Sequence, residues 1–137
     1  MSVDQAVRDR WNNCGWYQLT ALRVQEADDD GSRFTMAIGP EHLQAYGTAH
    51  GGSIAGLLDA AMGLAIIGRL EPDEGCATIE MKLNFMAPVM PGEVTATGRV
   101  ITMGRRIVVA SADAVLGDGR IAATALGTFS RFAEAAA

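Results

Sequence analysis

Two features of the sequence predict an α+β domain in which one long buried helix lies against an antiparallel sheet. The first is a run of small and apolar residues from Gly51 to Gly68 whose single charge is Asp59. The second is a change of period downstream, where Ile79, Met81, Leu83 and Phe85 alternate strictly with Thr78, Glu80, Lys82 and Asn84. An apolar run of helical length reads as a helix buried on most sides, and strict alternation reads as a half-buried strand. Long strands joined by hairpin turns after one long helix give an α+β domain, with the helix covering one face of the sheet.

In chain order, Asp4 to Asn12 reads as a short amphipathic helix carrying Val3, Val7 and Trp11 on one side, within an N-terminal segment 1–14 that Gly15 ends. Leu19 to Ala27 reads as a strand, Asp28-Asp29-Asp30-Gly31 as a turn, and Arg33 to Ile38 as a second strand. Pro40 to Gln44 has room for one helical turn before a glycine-punctuated loop that ends at His50. The 51–68 helix follows, then a turn at Pro72 to Gly75 and the alternating strand. Pro88, Pro91 and Gly92 mark a bend into a strand over Glu93–Thr102. Gly104 turns that strand into Arg106–Leu116, and Gly117-Asp118-Gly119 turns it back into Arg120–Phe132. The alanine-rich tail at 133–137 is expected to fray. The helix is apolar nearly all round, so either the sheet wraps around it or a second copy helps to cover it.

At 137 residues the chain is expected to form one domain, 1–137, with a core large enough to need no disulfides. The net charge of −5 comes with no basic stripe and no interleaving of aromatic and basic residues, which excludes a nucleic-acid partner. A membrane span is excluded by Asp59 at the centre of the helix, a costly position in lipid, and by flanks without a basic cluster. Cys14 and Cys76 stand far apart with no companion histidine motif, and the aspartate run has no ligand partners at metal spacing, so no metal is expected. The polar segment from Met1 to Trp11 is unlike a signal peptide, and with free thiols the expected location is cytoplasmic.

His50 and Asp59 are nine residues apart. On a helix that is a rise of about 13.5 Å and two and a half turns, so the two side chains point to opposite faces. They either do unrelated jobs or belong to a site built between two copies of the chain. Asp59 has Ala55, Gly56, Met62 and Gly63 at helical spacings and no basic partner. Such a carboxylate is either exposed on a poor helix or held in a pocket that raises its basicity.

Several residues share a pattern: His50-Gly51-Gly52 opening the helix, Leu58-Asp59 within it, and Thr78, Glu80, Asn84, Phe85 and Pro88 along the next strand. With Pro91-Gly92-Glu93 and the Gly104-Arg105 turn, the chain resembles the hotdog-fold acyl-CoA thioesterases of the PaaI-like (phenylacetic acid degradation-type, 4HBT-like) family over roughly residues 15–132. The resemblance implies a curved antiparallel sheet wrapped around the central helix. It also implies dimers in which two sheets join, often paired into tetramers, with sites between subunits. Carried over, Asp59 matches the general base or nucleophile, and His50 and Gly51 match the group around the thioester carbonyl, with the Gly51 amide as oxyanion donor. Thr78 matches the hydroxyl that holds the attacking water, and Gln44 stands where relatives commonly have Asn. No cofactor is implied beyond the coenzyme A of the substrate. Gly52, Met62 and Phe85 are expected to line the substrate pocket, and Arg105 and Arg106 are candidates for the coenzyme A phosphates. The implied reaction is hydrolysis of an aryl- or medium-chain acyl-CoA. The other readings are a hotdog hydratase of enoyl thioesters and a non-catalytic acyl-CoA-binding module. The first would favour an Asp/His pair closer together, and Asp59 weighs against the second.

Overall fold

The computed structural model describes residues 3–134. Its elements are α1 (Gln5–Asn12), α2 (Gly15–Thr20), β1 (Leu22–Asp28), β2 (Gly31–Ile38), a single 3-10 turn (Pro40–His42), α3 (Gly51–Ile67), β3 (Glu74–Phe85), β4 (Gly92–Met103), β5 (Ile107–Val115) and β6 (Ile121–Ala133). The strands form one six-stranded sheet in the order β1-β2-β4-β5-β6-β3, every neighbouring pair antiparallel. The sheet wraps around α3, which touches all six strands. This is the hotdog arrangement: the sheet itself covers the helix, and Leu57, Leu58, Ala61, Met62, Ala65 and Ile66 are fully buried.

Close approach of helix and sheet depends on glycine at one crossing. A Cβ at Gly98 of β4 would lie 2.2 Å from the Ala61 carbonyl oxygen, so only glycine fits where β4 passes under α3. The same carbonyl accepts a hydrogen bond from the buried Ser32 hydroxyl of β2 at 2.5 Å. Ser32 is thereby satisfied in the core, and α3 is pinned laterally across two strands.

The N-terminal region differs from the expectation. Gly15 does not end a helix; it opens α2, and β1 starts at Leu22 rather than Leu19. The signal was hidden because α2 ends on Ala21 at φ 59°, a left-handed position usually taken by glycine. The Thr20 carbonyl is satisfied instead by Nε2 of the buried His42, 2.6 Å away, whose Nδ1 accepts from the Gly39 amide. A partner distant in sequence thus adds to the local bond from the Ala21 N–H to the Tyr17 carbonyl. Asn12 does similar work at the end of α1. Its side-chain amide accepts from the Val24 N–H at 2.9 Å and donates to the Val24 carbonyl at 3.3 Å. The free edge of β1 is therefore occupied by a side chain that imitates a strand, which blunts it against further pairing.

At the other edge, β3 is also not the regular half-buried strand expected. Its pairing with β6 shifts between Thr78 and Glu80, a bulge centred on Ile79. Met81 and Leu83 pack against the core, whereas Ile79 and Phe85 remain more than half exposed. β3 is the last strand of the sheet, so it has one strand neighbour and not two. The first two residues of the tail expected to fray are instead ordered. Ala133 belongs to β6, Glu134 donates its amide to Asp73 and its carboxylate binds Arg10, and 135–137 lie outside the described residues.

Candidate active site

α3 presents two chemically different positions, and each opens into its own cleft. The first is its N-terminus. His50 is the N-cap, and its Nδ1 accepts the Gly52 N–H at 2.8 Å. That bond occupies Nδ1 as an acceptor, so in neutral His50 the proton sits on Nε2, which faces outward as a donor from an exposed side chain. The Gly51 N–H lies in the first turn, where no intrahelical acceptor exists, and no described residue takes it. It borders a cleft lined by Ala49, Ile54, Phe85, Met86, Val89 and Ala122. The Phe85 ring sits 3.4 Å from where a Gly51 Cβ would be, so the absent side chain is what leaves the amide approachable.

The second position is mid-helix. Asp59 is half-buried, and its Oδ1 accepts a hydrogen bond from the Thr78 hydroxyl at 2.6 Å. Strict alternation would place Thr78 on the face opposite Met81 and Phe85. The bulge at Ile79 moves it onto the helix side, so that one strand sends Thr78 to Asp59 and Phe85 to Gly51. The Asp59 cleft is otherwise apolar and aromatic: Trp11, Cys14, Trp16, Tyr17, Leu64, Ile67, Cys76 and Phe129 line it, with Gly56, Ala60 and Gly63 as the helix floor. Burial, and after it the Asp59 charge, pushes the Cys76 thiol up to about 11. Burial is also the main cause that raises the Tyr17 hydroxyl well above its ordinary range, with charge from Cys14, Asp59 and Cys76 adding to it. Both groups therefore stay protonated at neutral pH. Asp59 is the one carboxylate among the residues lining this cleft, and no basic residue lines it.

The remaining predicted residues fall in three places. Gly52 donates to His50, and a Cβ on it would press on the imidazole at 3.0 Å, so its place is in shaping the cap. Met62 is not a pocket residue: it is fully buried, with its sulfur against Gly127, because it lies on the sheet-facing side of α3. The Gln44 amide is spent within its own loop, donating to the Thr48 hydroxyl at 2.7 Å and accepting from the Tyr46 N–H, so it shapes the loop that delivers His50. Arg105 and Arg106 border a shallow hollow with Gly104 and Ile107, separate from both clefts. Sequence reasoning missed Trp16, Tyr17 and Cys76. The available signal was Gly56, three residues before Asp59: a helix position without a side chain leaves room for something else.

Residues 46–123 match the family model of the thioesterase superfamily. The chain belongs to the thioesterase superfamily. The Pseudomonas aeruginosa protein PA0474 is 33% identical over 69% of this thioesterase and 70% of its own length. Human acyl-coenzyme A thioesterase 13 is 30% identical over 57% of this chain and 56% of its own. Among solved structures, the Escherichia coli PaaI protein from the phenylacetic acid degradation operon superposes with a TM-score of 0.86 at 20% identity. That match covers 95% of this chain and 93% of that one, a likeness of fold. Thioester hydrolysis is accordingly the reaction type of this thioesterase. The matched segment holds α3 and β3, and so Gly51, Asp59 and Thr78, but not α1 or α2. No helix among the described residues is long and apolar enough to cross a membrane.

Proposed function

We propose that this thioesterase hydrolyses aryl- or medium-chain acyl-CoA thioesters at sites shared between two subunits. One chain supplies Asp59 and Thr78, and its partner supplies the Gly51 amide and His50. The observation that carries the proposal is the separation of the two clefts: the free Gly51 amide at the helix end and the half-buried Asp59 carboxylate lie about 12 Å apart along one rigid helix. A thioester carbonyl cannot meet both within one chain. A second copy joined along the unpaired edge of β3 in two-fold symmetry brings the α3 end of one chain towards the Asp59 of the other. The exposed Phe85 and Met86 beside the Gly51 cleft are the apolar contacts such a joint would cover.

In this reading the thioester oxygen accepts the Gly51 N–H, and the helix dipole stabilises the negative charge that develops on it. Water held by the Thr78 hydroxyl passes a proton to the free Asp59 oxygen as its own oxygen bonds to the carbonyl carbon. The tetrahedral intermediate collapses, the C–S bond breaks, and the coenzyme A thiolate leaves with the electron pair and is protonated. The outward Nε2–H of His50 is a suitable donor to carbonyl or sulfur. Arg105 and Arg106 are the cations offered to the coenzyme A phosphates.

The test is free-thiol release from a panel of phenylacetyl-, hydroxybenzoyl-, short- and medium-chain CoA esters, with wild type beside Asp59→Asn. Wild type turns over members of the panel, and the folded variant loses at least about a hundredfold in kcat, the lower end of what a general base contributes. Wild-type rates in Asp59→Asn would remove Asp59 from the mechanism. A single turnover in heavy-oxygen water then separates the two roles of the carboxylate. Base catalysis labels the product acid, and an acyl-aspartyl anhydride opened by water at the Asp59 carbonyl leaves the first product unlabelled and the label on Asp59.

A further inference from the structure

We infer that Trp16 is a specificity-determining residue: its indole, packed on Gly56, closes one end of the Asp59 cleft and limits it to compact, uncharged acyl groups. The inference rests on the reading of Asp59 as the reacting carboxylate and adds the residue that sets which acyl group reaches it. A Cβ at Gly56 would lie 3.5 Å from Cζ2 and 3.6 Å from Nε1 of the indole, so the ring is laid directly on the helix backbone one turn before Asp59. Beyond Asp59 the cleft runs along the small residues Ala60 and Gly63 towards Ile67 and Trp11. Its volume of about 260 Å³ gives room for about eight or nine non-hydrogen atoms, at a liquid-like share of ~30 Å³ each. That is the size of an arylacetyl or an eight-carbon acyl group.

The lining chemistry points the same way. Three aromatic side chains, Trp11, Trp16 and Tyr17, come from the N-terminal helices and face a helix floor without bulk. An acyl chain ending in a second carboxylate would share this cleft with Asp59 and meet no basic side chain there. Trp16 is itself 55% exposed and outside the core, so its ring sits at the wall of the cleft and not in the packed interior. It also lies outside the segment, residues 46–123, that matches the family model.

The test compares wild type, Trp16→Ala and Trp16→Phe on phenylacetyl-, octanoyl-, hexadecanoyl- and succinyl-CoA. In Trp16→Ala the ratio of kcat/KM for octanoyl- over hexadecanoyl-CoA should fall by about tenfold or more, and Trp16→Phe should restore it to within about threefold of wild type. Succinyl-CoA should be a poor substrate in all three. An unchanged ratio in folded, oligomeric Trp16→Ala overturns the inference, as does an equal loss on every ester, which marks a purely structural role. If wild type cleaves no ester, the hydrolase reading fails separately, and the wall is tested by binding. Trp11→Phe leaves Trp16 as the sole tryptophan of the chain, and S-phenacyl-CoA is added to it. Calorimetric binding with a shift in Trp16 emission keeps the wall. Binding without a shift, or no binding, removes it.

Discussion

The two ends of the site differ in how much of each the chain finishes by itself. The Asp59 cleft is closed by its own chain. α2 lays Trp16 over Gly56, Tyr17 and Cys76 line the wall, and the bulge in β3 turns Thr78 onto the carboxylate. The Gly51 cleft is left open: its amide has no acceptor among the described residues, and Phe85 and Met86 at its rim are 55% exposed. A base works best where water is controlled, so its surroundings must be built in. An oxyanion donor needs only a fixed direction and an approachable N–H, which a helix end supplies without further walls. The difference teaches that one rigid helix can serve two half-sites, provided that a second copy brings the complementary half to each.

The largest expected effect breaks the comparison outright. Gly51→Pro removes the amide hydrogen without disturbing the backbone, because proline is accepted at the first helical position and His50, at ψ 139°, already has the backbone that precedes a proline. We expect a loss of about 10²–10³ in kcat, with Gly51→Ala as the control that keeps the N–H while adding bulk against Phe85. Mixing this variant with Asp59→Asn then tests the sharing. Random two-fold pairs regain about a quarter of wild-type activity, since half are hybrids with one intact site each. No recovery after subunit exchange would place both halves of the site in one chain.

A smaller effect sharpens the contrast in burial. The Cys76 thiol is raised from 9.0 to about 11. Below pH 9 both folded and unfolded chains hold this proton. Above it the unfolded chain loses the proton first, so stability falls with rising pH, by up to about 2–3 kcal/mol by pH 11. The raised Tyr17 hydroxyl adds to the loss in the same direction. Denaturant titrations across this window should show the decline, and Cys76→Ser should reduce it while keeping a donor for the Gly63 carbonyl.

Thr78→Val should cost activity about tenfold, as a single supporting hydrogen bond to a charged group is worth roughly 1.5–3 kcal/mol at most. The free-thiol assay measures that loss, and the hydroxyl bonded to Asp59 is what the variant removes. The smallest effect is on the open side. His50→Ala removes the cap on the Gly52 amide and should lower stability by about 1 kcal/mol in a denaturation curve.

Much of the fold was legible locally. The α3 run, the two glycine turns that join β4, β5 and β6, and the opposition of His50 and Asp59 across two and a half turns all follow from spacing along the chain. What was not legible depended on distant partners. The end of α2 carries no glycine, and His42 takes the Thr20 carbonyl from twenty-two residues away, so the last residues of that helix, Leu19 and Thr20, read as the start of a strand. Alternation placed Thr78 and Phe85 on opposite faces of β3, and the pairing with β6 reversed that by absorbing Ile79 as an extra residue. Met62 looked like a pocket residue beside Asp59 until the sheet decided which side of α3 it would cover.

The sequence by itself determined the helix, the strands and the spacing of the catalytic candidates, because periodicity and turn chemistry act between near neighbours. Only the tertiary structure decided which polar group meets Asp59 and what roofs it. A bulge, a borrowed cap and an indole on a glycine are contacts between segments that the chain brings together only by folding.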